Sequence, residues 1–178
     1  MMNKKFTLFD NPIKKLEKTY KLLYTEHVFQ GWFYNTDRER EFIVYLKKLY
    51  QPWAQTLATL NINEKGNALI KDKLEINISS DEAKDLIKHK CTYFCDKKKF
   101  YFDFEKDIKL EAHKILTDNE DFIEFIEFKF NSKEEADKFD IKKYFNNAND
   151  ITDSEAFLDK NLAWYTRIDN ILDILKEF

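Results

Sequence analysis

"PIKKLEKTYKLLYTEHVFQG", residues 12–31, follows Asn11 and governs how the N-terminal part of the chain is read. Asn11 has a capping side chain, and Pro12 suits the first helical position, where a missing N–H costs nothing. Ile13, Leu16, Tyr20, Leu23 and His27 then recur at helical spacing, and Gly31 supplies a C-terminal stop. This predicts one long helix. Thr36 to Glu39 has the form of a capping box for a second helix, with Phe42, Leu46, Leu49 and Trp53 as its buried stripe. Pro52 kinks or ends it. A short third helix reaches Leu60, and NINEKGNA around Gly66 reads as a loop.

Beyond the loop the periodicity changes. KLEINIS (73–79) alternates as a strand, and Ser79 to Glu82 is a capping box for a short helix over roughly 81–90. Phe100, Phe102 and Phe104 alternate with Tyr101, Asp103 and Glu105, a half-buried strand. FIEFIEFKF (122–130) alternates too. IKLEAHKIL (108–116) fits a helix or a strand; its equal length around the polar TDNED turn favours the strand. Ser132 to Glu135 and Thr152 to Glu155 open two more helices. The last carries Leu158, Leu162, Tyr165, Ile168, Leu172 and Leu175 on one stripe to the C-terminus. The expected fold is a single α+β domain over residues 1–178. Helices occupy about 12–60 and 133–178, and an antiparallel meander of about four strands lies between them.

Composition narrows the function classes. The chain has 178 residues, 43% hydrophobic and 35% charged, with 17 Phe, 9 Tyr and 3 Trp, enough for one aromatic core. Its two glycines stand far apart, so glycine-rich phosphate loops of the Walker and Rossmann kinds are excluded. GxSxG and HExxH are also missing. No apolar run reaches the length of a membrane span, and the N-terminus has no hydrophobic signal core. Two cysteines without such a signal point to reduced thiols in the cytoplasm.

HKCTYFCDKKKFYFDFEKD (89–107) concentrates candidate chemistry. As a strand it sets His89, Cys91, Tyr93 and Cys95 on one face, with His113 or a carboxylate as a fourth metal ligand. Zinc knuckles, however, space cysteines by two residues around a tight turn, and three intervene here. A Cys91–Cys95 disulfide fails, because four extended residues span about 13 Å. KKKFYFDF is loosely similar to the aromatic strand of RNA-recognition sheets, but lacks that motif's glycines. The alternative functions are therefore a nucleic-acid platform at 97–104, or an enzyme or metal site around His89, Cys91, Cys95 and His113. Lys97, Lys98 and Lys99 are expected to solvate a hairpin tip. The four serines sit at predicted helix starts, where they cap, and no catalytic residue, metal or cofactor is assigned.

Charge is uneven along the chain. Residues 1–100 carry 19 basic and 13 acidic side chains; residues 101–178 carry 11 and 20. Asp118, Glu120, Asp121, Glu124, Glu127, Glu134, Glu135, Asp137 and Asp140 are the densest acids. This reads as an acidic surface complementary to a basic protein partner. The expected function is a non-catalytic inhibitor or immunity-type protein covering a toxin or nuclease, with Trp32 and Tyr34 in GWFYN as aromatic contacts.

Overall fold

A computed structural model describes residues 2–8, 11–34, 40–51, 53–64, 73–117, 121–165 and 171–178. Its centre is one antiparallel sheet of nine strands: β1 (Met2–Leu8), β2 (Leu22–Phe33), β3 (Arg40–Leu49), β4 (Leu57–Glu64), β5 (Lys73–Ile78), β6 (Cys91–Glu105), β7 (Ile108–Leu116), β8 (Phe122–Phe130) and β9 (Ala148–Asp150). The spatial order is β5-β4-β3-β2-β6-β7-β8-β1-β9. The helices are α1 (Pro12–Thr19), α2 (Ser80–Lys90), α3 (Lys133–Lys138), α4 (Asp159–Tyr165) and α5 (Ile171–Lys176). The four-strand meander flanked by helices is thus corrected to a nine-strand sheet with few helices.

The correction falls in the N-terminal part. Pro12 opens α1, with Ile13 and Leu16 buried, but the Asn11 side chain makes no capping bond, and the helix stops at Thr19 with Tyr20 already extended. Residues 22–33 are a strand because Tyr24, Thr25, Val28, Phe29, Trp32 and Phe33 favour extended backbone. Positions 27–32 are buried on both faces, so alternation is hidden and a fortuitous i, i+4 series remains. Phe42 and Leu46, read as a helical stripe, are even-numbered residues on one face of β3, and the short helix to Leu60 is β4. The Thr36–Glu39 capping box and Pro52 lie outside the described residues. The last helix is broken into a 3-10 turn (Glu155–Phe157), α4 and α5.

Other expectations hold. Strands occupy 73–78, 108–116 and 122–130, and α2 and α3 carry complete capping boxes from Ser79–Glu82 and Ser132–Glu135. The β6–β7 hairpin turns at Lys106-Asp107, with Asp107 at φ 72°, a conformation aspartate tolerates. Among the described residues no helix is long and apolar enough to cross a membrane.

Directly opposed residues of an antiparallel pair share a face. The outer face carries two aromatic-rich clusters. Phe6, Phe102, Leu110, Phe128 and Phe130 pack under α1 and α3, and Phe29, Val44, Leu46 and Phe94 pack under α2 and α5. Each such side chain contributes roughly 2–3 kcal/mol on burial. The inner face carries a smaller cluster, in which Leu162 and Ala163 of α4 join Trp32, Ile43, Cys95, Ile115 and Phe125. This cluster runs from β3 to β8 through each neighbouring strand, and α4 rests on it.

Gly31 marks where α2 meets β2: a Cβ there would lie 2.8 Å from Cys91 Sγ and 3.4 Å from Ile87 Cγ1. Gly31→Ala is expected to destabilise the fold by about 1–3 kcal/mol in urea unfolding. Adding Cys91→Ala should recover part of that loss.

Candidate functional site

The inner face is unusual in being polar. Registers place Lys97, Lys99 and Tyr101 of β6 opposite Ile115, His113 and Glu111 of β7. Glu111 faces Glu127 of β8, which faces Lys5 of β1, and Lys129 faces Lys109 and Asn3. One inward stripe therefore gathers several lysines, a histidine and two glutamates from four adjacent strands. Like charges directly opposed destabilise a sheet, so Glu111 and Glu127 require cations between them. Lys129 Nζ lies 2.5 Å from Glu111 Oε1, and His113 Nε2 lies 3.1 Å from Glu127 Oε2 and 3.6 Å from Glu111 Oε2. Asn3 donates to Glu127 at 2.8 Å, and the His113 ring stacks on Phe125 at 4.5 Å.

The electrostatics follow from burial and these neighbours. Burial alone would raise Glu111, but His113 and Lys129 hold its carboxyl down at about 2. Glu127 is lowered in the same way, its burial outweighed by His113, Lys129 and Lys5. Lys97, 4% exposed, is paired with Asp159 of α4 at 2.5 Å. Lys99 differs: among the described residues no carboxylate lies within ion-pair distance of it. Its ammonium is pushed down by desolvation and then by Lys97, against the pull of Glu111 and of Glu26, which faces it from β2.

Glu111, His113 and Glu127 each offer a ligand atom, all within 4.8 Å of one another and all buried. Glu111 Oε2 and both His113 ring nitrogens have no hydrogen-bond partner. His113 Nε2 thus approaches both carboxylates without hydrogen-bond geometry. Orphaned buried donor atoms converging in this way fit a divalent cation. Two carboxylates with one imidazole suit Mn²⁺ or Zn²⁺ better than Mg²⁺, which favours oxygen ligands.

The residues singled out in the sequence are dispersed. His89 is exposed on α2 beside Asp85. Cys91 packs with the outer cluster and Cys95 with the inner one, so a shift of register has put them on opposite faces. Both are free thiols pushed up to about 12 by burial. His113 alone reaches the cation site. Phe100, Phe102 and Phe104 pack in the outer cluster, unavailable for base stacking, and Lys97 and Lys99 point inward rather than solvating a hairpin tip. Trp32 is buried, whereas Tyr34 is 74% exposed.

The acids also occupy different places. Asp118 and Glu120 lie outside the described residues. Glu127 is buried on the inner face, while Glu124 pairs with Lys114 on the outer face. Glu134 pairs with Lys138, Glu135 caps α3, and Asp140 caps the 3-10 turn Ile141–Lys143. Asp121 and Asp137 are exposed. Sequence reasoning missed Lys5, Lys97, Lys99, Lys129 and Asp159. For Lys97 and Lys99 the signal was present, since they share the period-two phase of Tyr101.

No protein-family model matches the chain, and no curated protein matches it in sequence. Its structure is similar to two solved structures of NE1496. One is described as a hypothetical protein, with TM-score 0.66, 15% identity, and coverage of 93% of this chain and 99% of that one. The other is described as an inorganic triphosphatase, with TM-score 0.65, 15% identity, and coverage of 91% and 93%. It is also similar to the PH1819 protein from Pyrococcus horikoshii OT3, with TM-score 0.61, 15% identity, and coverage of 91% and 96%. The fold is thus one that an enzyme uses. That finding overturns the expectation of a non-catalytic inhibitor or immunity-type protein directed at a toxin or nuclease.

Glu111 has a depressed carboxyl, so its contribution is complete above the ordinary glutamate range and is lost as pH falls toward 2. Urea unfolding should show wild-type stability dropping by about 2–3 kcal/mol from this group between pH 5 and 2. Glu111→Gln should flatten that dependence.

Proposed function

We propose that the chain is a phosphohydrolase that binds a triphosphate-like anion on its inner face and hydrolyses a phosphoanhydride bond. The observation that carries this reading is the inward stripe of Lys97, Lys99, Lys129 and Lys5, in which half-buried Lys99 has no carboxylate within ion-pair distance among the described residues. Phosphoryl transfer asks little covalent chemistry of a protein; positioning and charge neutralisation supply most of the rate. The fold shared with the inorganic triphosphatase NE1496 supports the same class of reaction.

In this reading Lys99 and Lys129 hold the phosphate oxygens, and Lys5 adds positive charge from β1. Glu111, His113 and Glu127 would hold a divalent cation, which when bound supplies charge neutralisation to the phosphate chain. Asn3 fixes the orientation of Glu127, and the Phe125 ring fixes the plane of His113. Burial pushes the inward Cys95 thiol up to about 12, which disfavours it as a nucleophile, and this reading assigns the attack to water.

Phosphate release from tripolyphosphate should therefore be measurable with Mn²⁺ and weaker with Mg²⁺. Lys99→Met, which keeps the length of the side chain, should cost about 100-fold or more in kcat/KM while leaving the fold intact. His113→Ala should reduce the Mn²⁺ dependence. A wild-type protein that neither binds nor cleaves tripolyphosphate with any divalent cation would refute the proposal.

A further inference from the structure

Asp159 stands out on the inner face because it comes from outside the sheet. The Leu162 and Ala163 side chains seat α4 on Trp32, Ile43, Cys95, Ile115 and Phe125, and Phe157 meets Phe125 edge-on at 5.7 Å. On the solvent side Lys160 pairs with Glu41 of β3 at 2.6 Å. These anchors deliver the Asp159 carboxylate to Lys97 at 2.5 Å, with 35% of its side chain still accessible. Lys97, His113 and Lys99 together hold this carboxyl well below the usual range, against the opposing effect of burial. Asp159 therefore sits in the field of the cations that would receive a phosphate.

The two ends of the inner face differ. At the α4 end apolar side chains cover the inner face. At the other end a cavity of about 460 Å³ is lined by Tyr101 and Lys109 and by the acids Asp103, Glu105, Asp107 and Glu111. Tyr24 stacks on Tyr101 at 4.2 Å. Between Lys97 and Tyr101 the stripe runs about 13 Å along β6. An anion entering at the cavity end passes Lys109 and Lys129 before it reaches Lys99, and meets Asp159 last.

We propose that Asp159 acts as an internal stand-in for a phosphate at Lys97 and so limits the length of the anion that the inner face accepts. This rests on the phosphohydrolase reading above and adds a specificity-determining residue to it. Short chains end at Lys99 and fit beside Asp159. Longer chains must displace the carboxylate and with it α4, so they bind less well.

The test is calorimetric titration of the full chain with inorganic tripolyphosphate and with a long-chain polyphosphate, at equal concentrations of chain ends. Wild type should prefer tripolyphosphate by about tenfold. Asp159→Asn should bring the two to within about threefold of each other. Because that change strands a buried lysine, Lys160→Ala provides a second arm: it breaks only the exposed pair with Glu41 and should relax the preference in the same direction. Equal preference in wild type and in the folded variants would overturn the role of Asp159 while leaving the phosphohydrolase reading in place. Failure of every protein, wild type included, to bind either anion would overturn both.

Discussion

The pairing of β2 with β6 is the constraint on which the rest of the structure depends. These are the two longest strands, and each has its other neighbour close in sequence: β2 leads into β3, β4 and β5, and β6 into β7 and β8. Their ladder joins two meanders into one sheet. It also fixes the phase of both. Gln30 opposite Cys95 and Trp32 opposite Tyr93 point inward, which commits Lys97, Lys99 and Tyr101 to the same side. A slip of one residue would exchange faces, sending lysines under the outer helices and phenylalanines into the inner space. The aromatic outer clusters hold the register that makes the inner face polar.

Such a face is costly. Lys97, Glu111, His113 and Glu127 are buried ionisable groups, and Gln30, Thr59, Asn61 and Asn63 bury side-chain polar atoms without hydrogen bonds. Unpaired polar burial costs on the order of 1–3 kcal/mol for each group. The fold bears that load through the apolar packing of its other face, where Phe29, Phe128, Phe130 and Leu16 are fully enclosed. The larger apolar clusters and the buried ionisable groups of Glu111, His113 and Glu127 thus lie on opposite sides of a single sheet.

How legible this was in the sequence depended on whether the signal was local. Capping boxes involve neighbours in sequence, so Ser79–Glu82 and Ser132–Glu135 marked α2 and α3. β8 alternates plainly because its inner side chains include Glu127 and Lys129 against the outer Ile126, Phe128 and Phe130. β2 was obscured because both its faces are buried near the middle, leaving helical spacing by coincidence. The site was harder still. Inward lysines look like solvent-facing ones until the partner strands are known, and the Glu111–Glu127 opposition exists only in the folded register. Asp159 reaches Lys97 across 62 residues of chain, which no periodicity announces.

The place of β1 in the sheet has a consequence for biosynthesis. It is made before the other eight strands of the sheet, yet its partners are β8 and β9, whose residues are made more than a hundred positions later. The hairpins between β2 and β5 close early, whereas β1 waits with Phe6 unburied until β8 has emerged. Pairings between such distant segments form slowly and leave apolar surface open in the meantime. The nascent protein thus depends on its most distant contact to complete the sheet.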